Sequence, residues 1–66
     1  MIAIFRIYLQ RDMYGNLYGE TREFFRFYDT DEVPEDLEER ARRWSKRFDC
    51  AFEIQRENGI TTIYPD

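Results

Sequence analysis

The sequence predicts an α+β domain of order ββαββ, in which a single helix covers one face of a four-stranded, mainly antiparallel sheet. Three observations carry this: a long alternating hairpin pattern at the start, one run of helical periodicity, and a second hairpin pattern at the end. The 66 residues leave room for one domain, residues 1–66.

Residues 2–9 (IAIFRIYL) read as the first strand, with Ala3, Phe5, Ile7 and Leu9 forming a fully apolar face. Residues 21–28 (TREFFRFY) read as the second, with Phe25 and Phe27 on its apolar face. The stretch QRDMYGNLYGE between them, with Gly15, Asn16 and Gly19, is a hairpin connection. A two-residue turn at Gly15-Asn16 pairs Phe5 with Arg26 and Leu9 with Arg22, which sets arginines on the core face. A three-residue loop, Tyr14-Gly15-Asn16, pairs Ala3 with Phe27 and Phe5 with Phe25 instead. Asn16 then takes the left-handed position. The second register is the expected one.

Residues 34–48 (PEDLEERARRWSKRF) read as a helix. Pro34 suits its first turn, where a missing N–H costs nothing. Val33, Leu37, Ala41, Trp44 and Phe48 share one face. Acids precede bases, which complements the helix dipole. Asp36–Arg40, Glu38–Arg42 and Glu39–Arg43 stand at i,i+4 in the favourable order, each pair contributing about 0.2–0.5 kcal/mol.

Residues 50–57 (CAFEIQRE) and 60–64 (ITTIY) read as a hairpin around Asn58-Gly59, which pairs Ile54 with Ile63 and Glu53 with Tyr64. The ββαββ order resembles the β-grasp fold, whose first and last strands lie parallel at the centre. A ferredoxin-like or meander variant is the alternative, because chain order does not settle strand order.

Composition narrows the function classes. Charged residues make up 36% and hydrophobic residues 42%, a folded and soluble balance. The first residues, MIAIFRIYLQR, alternate and are interrupted by Arg6, unlike a signal peptide or a membrane span. A cytoplasmic location is expected, and the lone Cys50 agrees with a reducing compartment. Cys50 falls on the side of Phe52 and Ile54, as a small core residue would. With no histidine, imidazole acid–base chemistry and the usual zinc ligand sets are absent. The glycines form no phosphate-cradling motif. No enzyme activity, cofactor, metal or small-molecule substrate is expected.

Two surfaces stand out. Asp29, Asp31, Glu32, Glu35, Asp36, Glu38 and Glu39 form an acidic run with no base among them. Within a helix, residues 35–39 span roughly 6 Å. Four charges over that length approach the density of duplex DNA, about one per 1.7 Å. The plainer reading is a well-charged helix start with its polar lead-in, and the bases from Arg40 to Arg47 follow at once. The second surface is the outer face of the first hairpin, expected to carry Arg6, Tyr8, Phe24 and Arg26. Such arginines and aromatics stack on single-stranded nucleic acid, or pair across strands with no ligand. The net charge of −4 opposes nucleic-acid binding.

A compact, acidic, aromatic-rich chain of one helix and a sheet, starting at Met1, resembles the small phage-encoded anti-CRISPR proteins. The resemblance spans the chain and rests on size, charge and architecture, not on a motif. It implies an inhibitor that binds a Cas effector complex and uses acidic groups to occupy a DNA-binding channel. The leading expectation is therefore a small acidic protein acting in the host cytoplasm. Its acidic run would dock on a basic nucleic-acid-binding surface of a host protein by partial DNA mimicry. The alternatives are a structural or regulatory module that homodimerises through its outer sheet face, and single-stranded nucleic-acid binding.

Overall fold

A computed structural model describes residues 1–65. The chain forms β1 (Ile2–Arg11), β2 (Leu17–Tyr28), a 3-10 turn (Thr30–Glu32), α1 (Leu37–Phe48), β3 (Ala51–Arg56) and β4 (Gly59–Ile63). The strands make one sheet in the order β2-β1-β3-β4, with every neighbouring pair antiparallel and α1 on one face. The α+β class is as the sequence predicts.

The strand order differs from the β-grasp-like expectation. β3, not β4, lies beside β1, so the centre is antiparallel. Burial explains the choice. Ala51 to Ile54 of β3 are all buried, whereas β4 (GITTI) buries only Ile63. The strand whose two faces both shed water takes the centre, and the threonine-rich strand takes the edge.

The covered face is also the reverse of the expected one. Ile2, Ile4 and Tyr8 of β1 point toward α1, not Ala3, Phe5, Ile7 and Leu9. The helix-side face of β1 also carries Arg6, so alternation points to the other side; the arginine is accommodated because it packs among Phe25 and Phe48 and pairs with Glu23. β2 contributes to the inversion through a bulge. Ala3 pairs with Phe27 as expected, but the register shifts after Ile4, and Phe5 lies opposite Phe24. The extra residue, Phe25, turns in beneath the helix.

The core under α1 contains Ile4, Leu37, Ala41, Cys50, Phe52, Ile54 and Ile63. Phe52 is fully buried and central. Phe25, Trp44 and Phe48 surround it with ring centroids at 5.1, 5.7 and 6.1 Å. Burying a ring of this size stabilises the fold by about 1.5–3 kcal/mol.

The helix begins at Leu37, three residues later than expected, because Glu35 and Asp36 form a turn. Its apolar face is the predicted one. Its end is built by two devices. Asp49 adopts the left-handed conformation at φ 52°, and Ser45 Oγ donates to the Cys50 carbonyl at 2.7 Å.

Both hairpin turns differ in detail from expectation. The first connection runs Asp12 to Asn16 and its left-handed residue is Gly15, not Asn16. In the second, Arg56 pairs with Gly59, so Glu57-Asn58 make the turn. Ile63 therefore lies opposite Phe52, not Ile54. The slip is of two residues, which leaves every side chain on its face. β1 pairs with β3 only from Ala3 to Ile7. The remainder of the first hairpin projects as a two-stranded arm, and the molecule measures 44 × 20 × 17 Å.

Candidate interaction surface

The helix-free face of the sheet is built from the second apolar side of β1. Ala3, Phe5, Ile7 and Leu9 lie on it, opposite Phe27, Phe24, Arg22 and Glu20 of β2. β3 adds Ala51 and Glu53, and β4 adds Ile60 and Thr62. Phe24 is 54% exposed, Phe27 55% and Ile60 62%, although each sits within a strand. Phe24 meets Phe5 edge to face at 5.7 Å.

One polar group crosses this apolar surface. Arg22 reaches over β1 and places Nη2 3.2 Å from Glu53 Oε2, with its guanidinium 6.0 Å from the Phe5 ring centre. Gln55 Nε2 also donates to Glu53, at 3.4 Å. The Glu53 carboxylate is thus buried beneath its own partners. Only the carboxylate is buried, since Arg22 remains exposed; losing Arg22 would leave the Glu53 charge buried and short of its partner.

The four residues expected to form a nucleic-acid-binding face do not share a face. Phe24 is on the open side, whereas Arg6, Tyr8 and Arg26 are on the helix side. Arg6 is packed among the core rings, 5.6 Å from Phe25 and 5.7 Å from Phe48. Its Nη2 pairs with Glu23 at 2.6 Å. Arg26 stacks 5.5 Å from Trp44. These guanidiniums cap the aromatic core and are not displayed for stacked bases.

The acidic run divides into two sets. Asp36 is held by Arg40 at 2.9 Å and by Arg43 at 3.7 Å. Glu38 faces Arg56 of β3 at 3.8 Å. Neither Glu38–Arg42 nor Glu39–Arg43 forms among the described residues. Asp29, Asp31, Glu32, Glu35 and Glu39 are exposed and have no ion pair among the described residues. They lie along the connection from β2 into α1 and on its first turn, away from the open sheet face.

Cys50 is buried in the core, and burial pushes its thiol pKa up, opposed by the positive charge of Arg6. Such a thiol is a poor nucleophile at neutral pH. Among the described residues, no three His, Cys, Asp or Glu side chains are placed to hold a metal ion. No helix among them is long and apolar enough to cross a membrane. The open-face role of Leu9, Phe27 and Ile60 was not foreseen from the sequence. Its signals were the second apolar side of the first strand and the adjacent Phe24-Phe25 pair, which breaks alternation and marks the bulge. The chain matches no protein-family model, and no curated protein or solved structure matches it.

Proposed function

We propose that this chain is a small non-catalytic binding protein of the cytoplasm whose partner surface is the helix-free face of the sheet. The observation that carries the reading is the exposure of Phe24, Phe27 and Ile60 around Phe5 and Ile7, on a face with no second layer. Large apolar side chains left exposed together on one face mark interaction sites. The two aromatic anchors here, beside the exposed Arg22, which pairs with the buried Glu53, are residue types enriched among those that dominate interface energetics.

The test is a nuclease-treated pull-down from cells that also express a second, differently tagged copy of the chain. Wild type is compared with Phe24→Lys/Phe27→Lys. Another comparison carries Asp31→Lys, Glu32→Lys, Glu35→Lys and Glu39→Lys. Circular dichroism establishes that each is folded. A partner lost only with the phenylalanine variant supports the reading. A partner retained by that variant rejects it.

A second reading is favoured by the five unpaired carboxylates. In it the acidic connection docks on a basic nucleic-acid-binding surface of a host protein, in the manner of an anti-CRISPR inhibitor. The structure-guided charge reversal spares Asp36 and Glu38, which serve the fold's own arginines. Loss of partner in that variant alone, with affinity falling steeply as salt rises, selects this reading over the first.

A further inference from the structure

We infer that the occupant of the helix-free face is a second copy of this chain, packed sheet against sheet about a two-fold axis; the inference rests on the open face being the partner surface. Three features converge on it.

The first is area. The molecule extends 44 × 20 × 17 Å, and a stable interface takes about 800 Å² from each partner. A second copy therefore has to cover most of one side of the molecule, including the flank of the projecting arm that bears Leu9. Phe24 and Phe27 on the β2 edge and Ile60 on the opposite β4 edge are set apart by β1 and β3, so a nucleotide or a single extended peptide would leave one edge uncovered.

The second is charge. The central charged groups of the face, Arg22 and Glu53, neutralise each other at 3.2 Å. The chain's net charge of −4 is concentrated elsewhere, with the unpaired carboxylates on the connection between β2 and α1. At the centre of the contact, two identical open faces therefore set neutralised pairs and not bare like charges against each other; Glu20, also on this face, lies out on the arm opposite Leu9. A basic partner would be drawn to the acidic connection and not to this face.

The third is architecture. The open side carries the apolar residues of β1 with the exposed Phe24, Phe27 and Ile60; apolar residues on both sides of a sheet are best buried in the middle of a layered structure, and this chain supplies a layer for one side only. It has no disulfide to compensate, since its single cysteine is free. Two such sheets stack about 10 Å apart, with their side chains interdigitating. An isologous contact then duplicates each phenylalanine anchor and completes a helix–sheet–sheet–helix sandwich.

The experiment is sedimentation velocity of the full chain from 5 to 500 μM, in low and high salt. Wild type, Phe24→Lys/Phe27→Lys and Ile60→Lys are compared, with the Glu35→Lys/Glu39→Lys protein as a control. Wild type is expected to move from the 8.2 kDa monomer to the dimer as concentration rises, with little effect of salt. The phenylalanine variant should dimerise at least tenfold more weakly, and the control as tightly as wild type. Ile60→Lys repeats the test on β4 should the double variant fail to fold. A wild type that stays monomeric at 500 μM overturns the inference. So does a folded face variant that dimerises like wild type. A monomeric chain whose face still holds another protein in the pull-down keeps the binding reading and removes only the second copy.

Discussion

The two faces of the sheet share β1, yet they end differently. On the covered face Phe52 is closed in by Phe25, Trp44 and Phe48, and the guanidiniums of Arg6 and Arg26 lie over the Phe25 and Trp44 rings. On the open face Phe24 and Phe27 are more than half exposed, and the arginine is spent on a buried carboxylate. The difference teaches that hydrophobicity alone does not assign a strand residue to the core. What assigns it is whether another element of the same chain arrives to cover it.

The largest effect is expected where the covered face is densest. Phe52→Ala removes the ring at the centre of the aromatic cluster and leaves a cavity that α1 cannot close. A cost of about 3–5 kcal/mol is expected. A chain of this size is stabilised overall by about 0.05–0.15 kcal/mol per residue, so the variant should be largely unfolded. Urea denaturation followed by circular dichroism measures this. A variant retaining most of its wild-type midpoint would show that the covered face is not the main core.

Ser45→Ala is the next. Its hydroxyl is fully buried and donates to the Cys50 carbonyl where α1 hands over to β3. Truncation leaves that carbonyl with one partner fewer in a dry site, at a cost of about 1–3 kcal/mol. The same junction gives a chemical readout. The raised thiol pKa of Cys50 means less thiolate at any given pH, so alkylation at neutral pH should follow unfolding. Ser45→Ala should speed it, while Phe24→Lys should leave it close to wild type.

On the open face the stability effect is expected to be small and the binding effect large. Phe24→Lys forfeits the edge-to-face contact with Phe5, worth about 0.5–1.5 kcal/mol. If its denaturation midpoint fell as far as that of Phe52→Ala, the two faces would be equivalent halves of one core. The comparison drawn above would then fail.

The comparison also explains which features were legible in the sequence. The elements and the apolar side of α1 were, because a period of 3.6 with Leu37, Ala41 and Trp44 admits one solution. The exposure of Asp29, Asp31, Glu32, Glu35 and Glu39 was legible too, since carboxylates rarely leave water. The face of β1 was not. The covered set, Ile2/Ile4/Arg6/Tyr8, contains an arginine and the open set, Ala3/Phe5/Ile7/Leu9, does not, so alternation points to the wrong face; Arg6 fits beneath the helix only because Phe25, Phe48 and Glu23 gather around it on folding. The ion pair that Glu38 makes across to β3 was hidden for a similar reason. Its partner Arg56 is distant in sequence and adjacent only after folding.

Asp49→Gly sharpens the picture from the stabilising side. Asp49 holds φ at 52° to end α1, a conformation glycine adopts without a Cβ clash. The substitution should raise stability by up to about 1 kcal/mol, tighten the covered face and leave the open one unchanged. A thermal melt measures the gain. A destabilised variant would mean that the Asp49 side chain has a role beyond ending the helix.

The smallest effect belongs to the arm, which neither face protects. Asp12 accepts hydrogen bonds from the backbone N–H groups of Asn16 and Tyr14, each at 2.9 Å. The Asn16 backbone bond is the main cause that holds its carboxyl below the usual carboxylate range; desolvation opposes it, and the Tyr14 bond adds to it. A depressed pKa means that the folded tip favours the ionised form. The tip is therefore fully supported above the pKa of the unfolded chain and loses that support as pH falls through its lowered folded value. Acidification should move the Tyr14 and Asn16 amide resonances together, following one titration, while amides of β3 beneath α1 stay in place. Asp12→Asn should abolish the titration. If the β3 amides moved with the tip, the arm and the core would be one cooperative unit, and the projection of the hairpin beyond β3 would not make it independent.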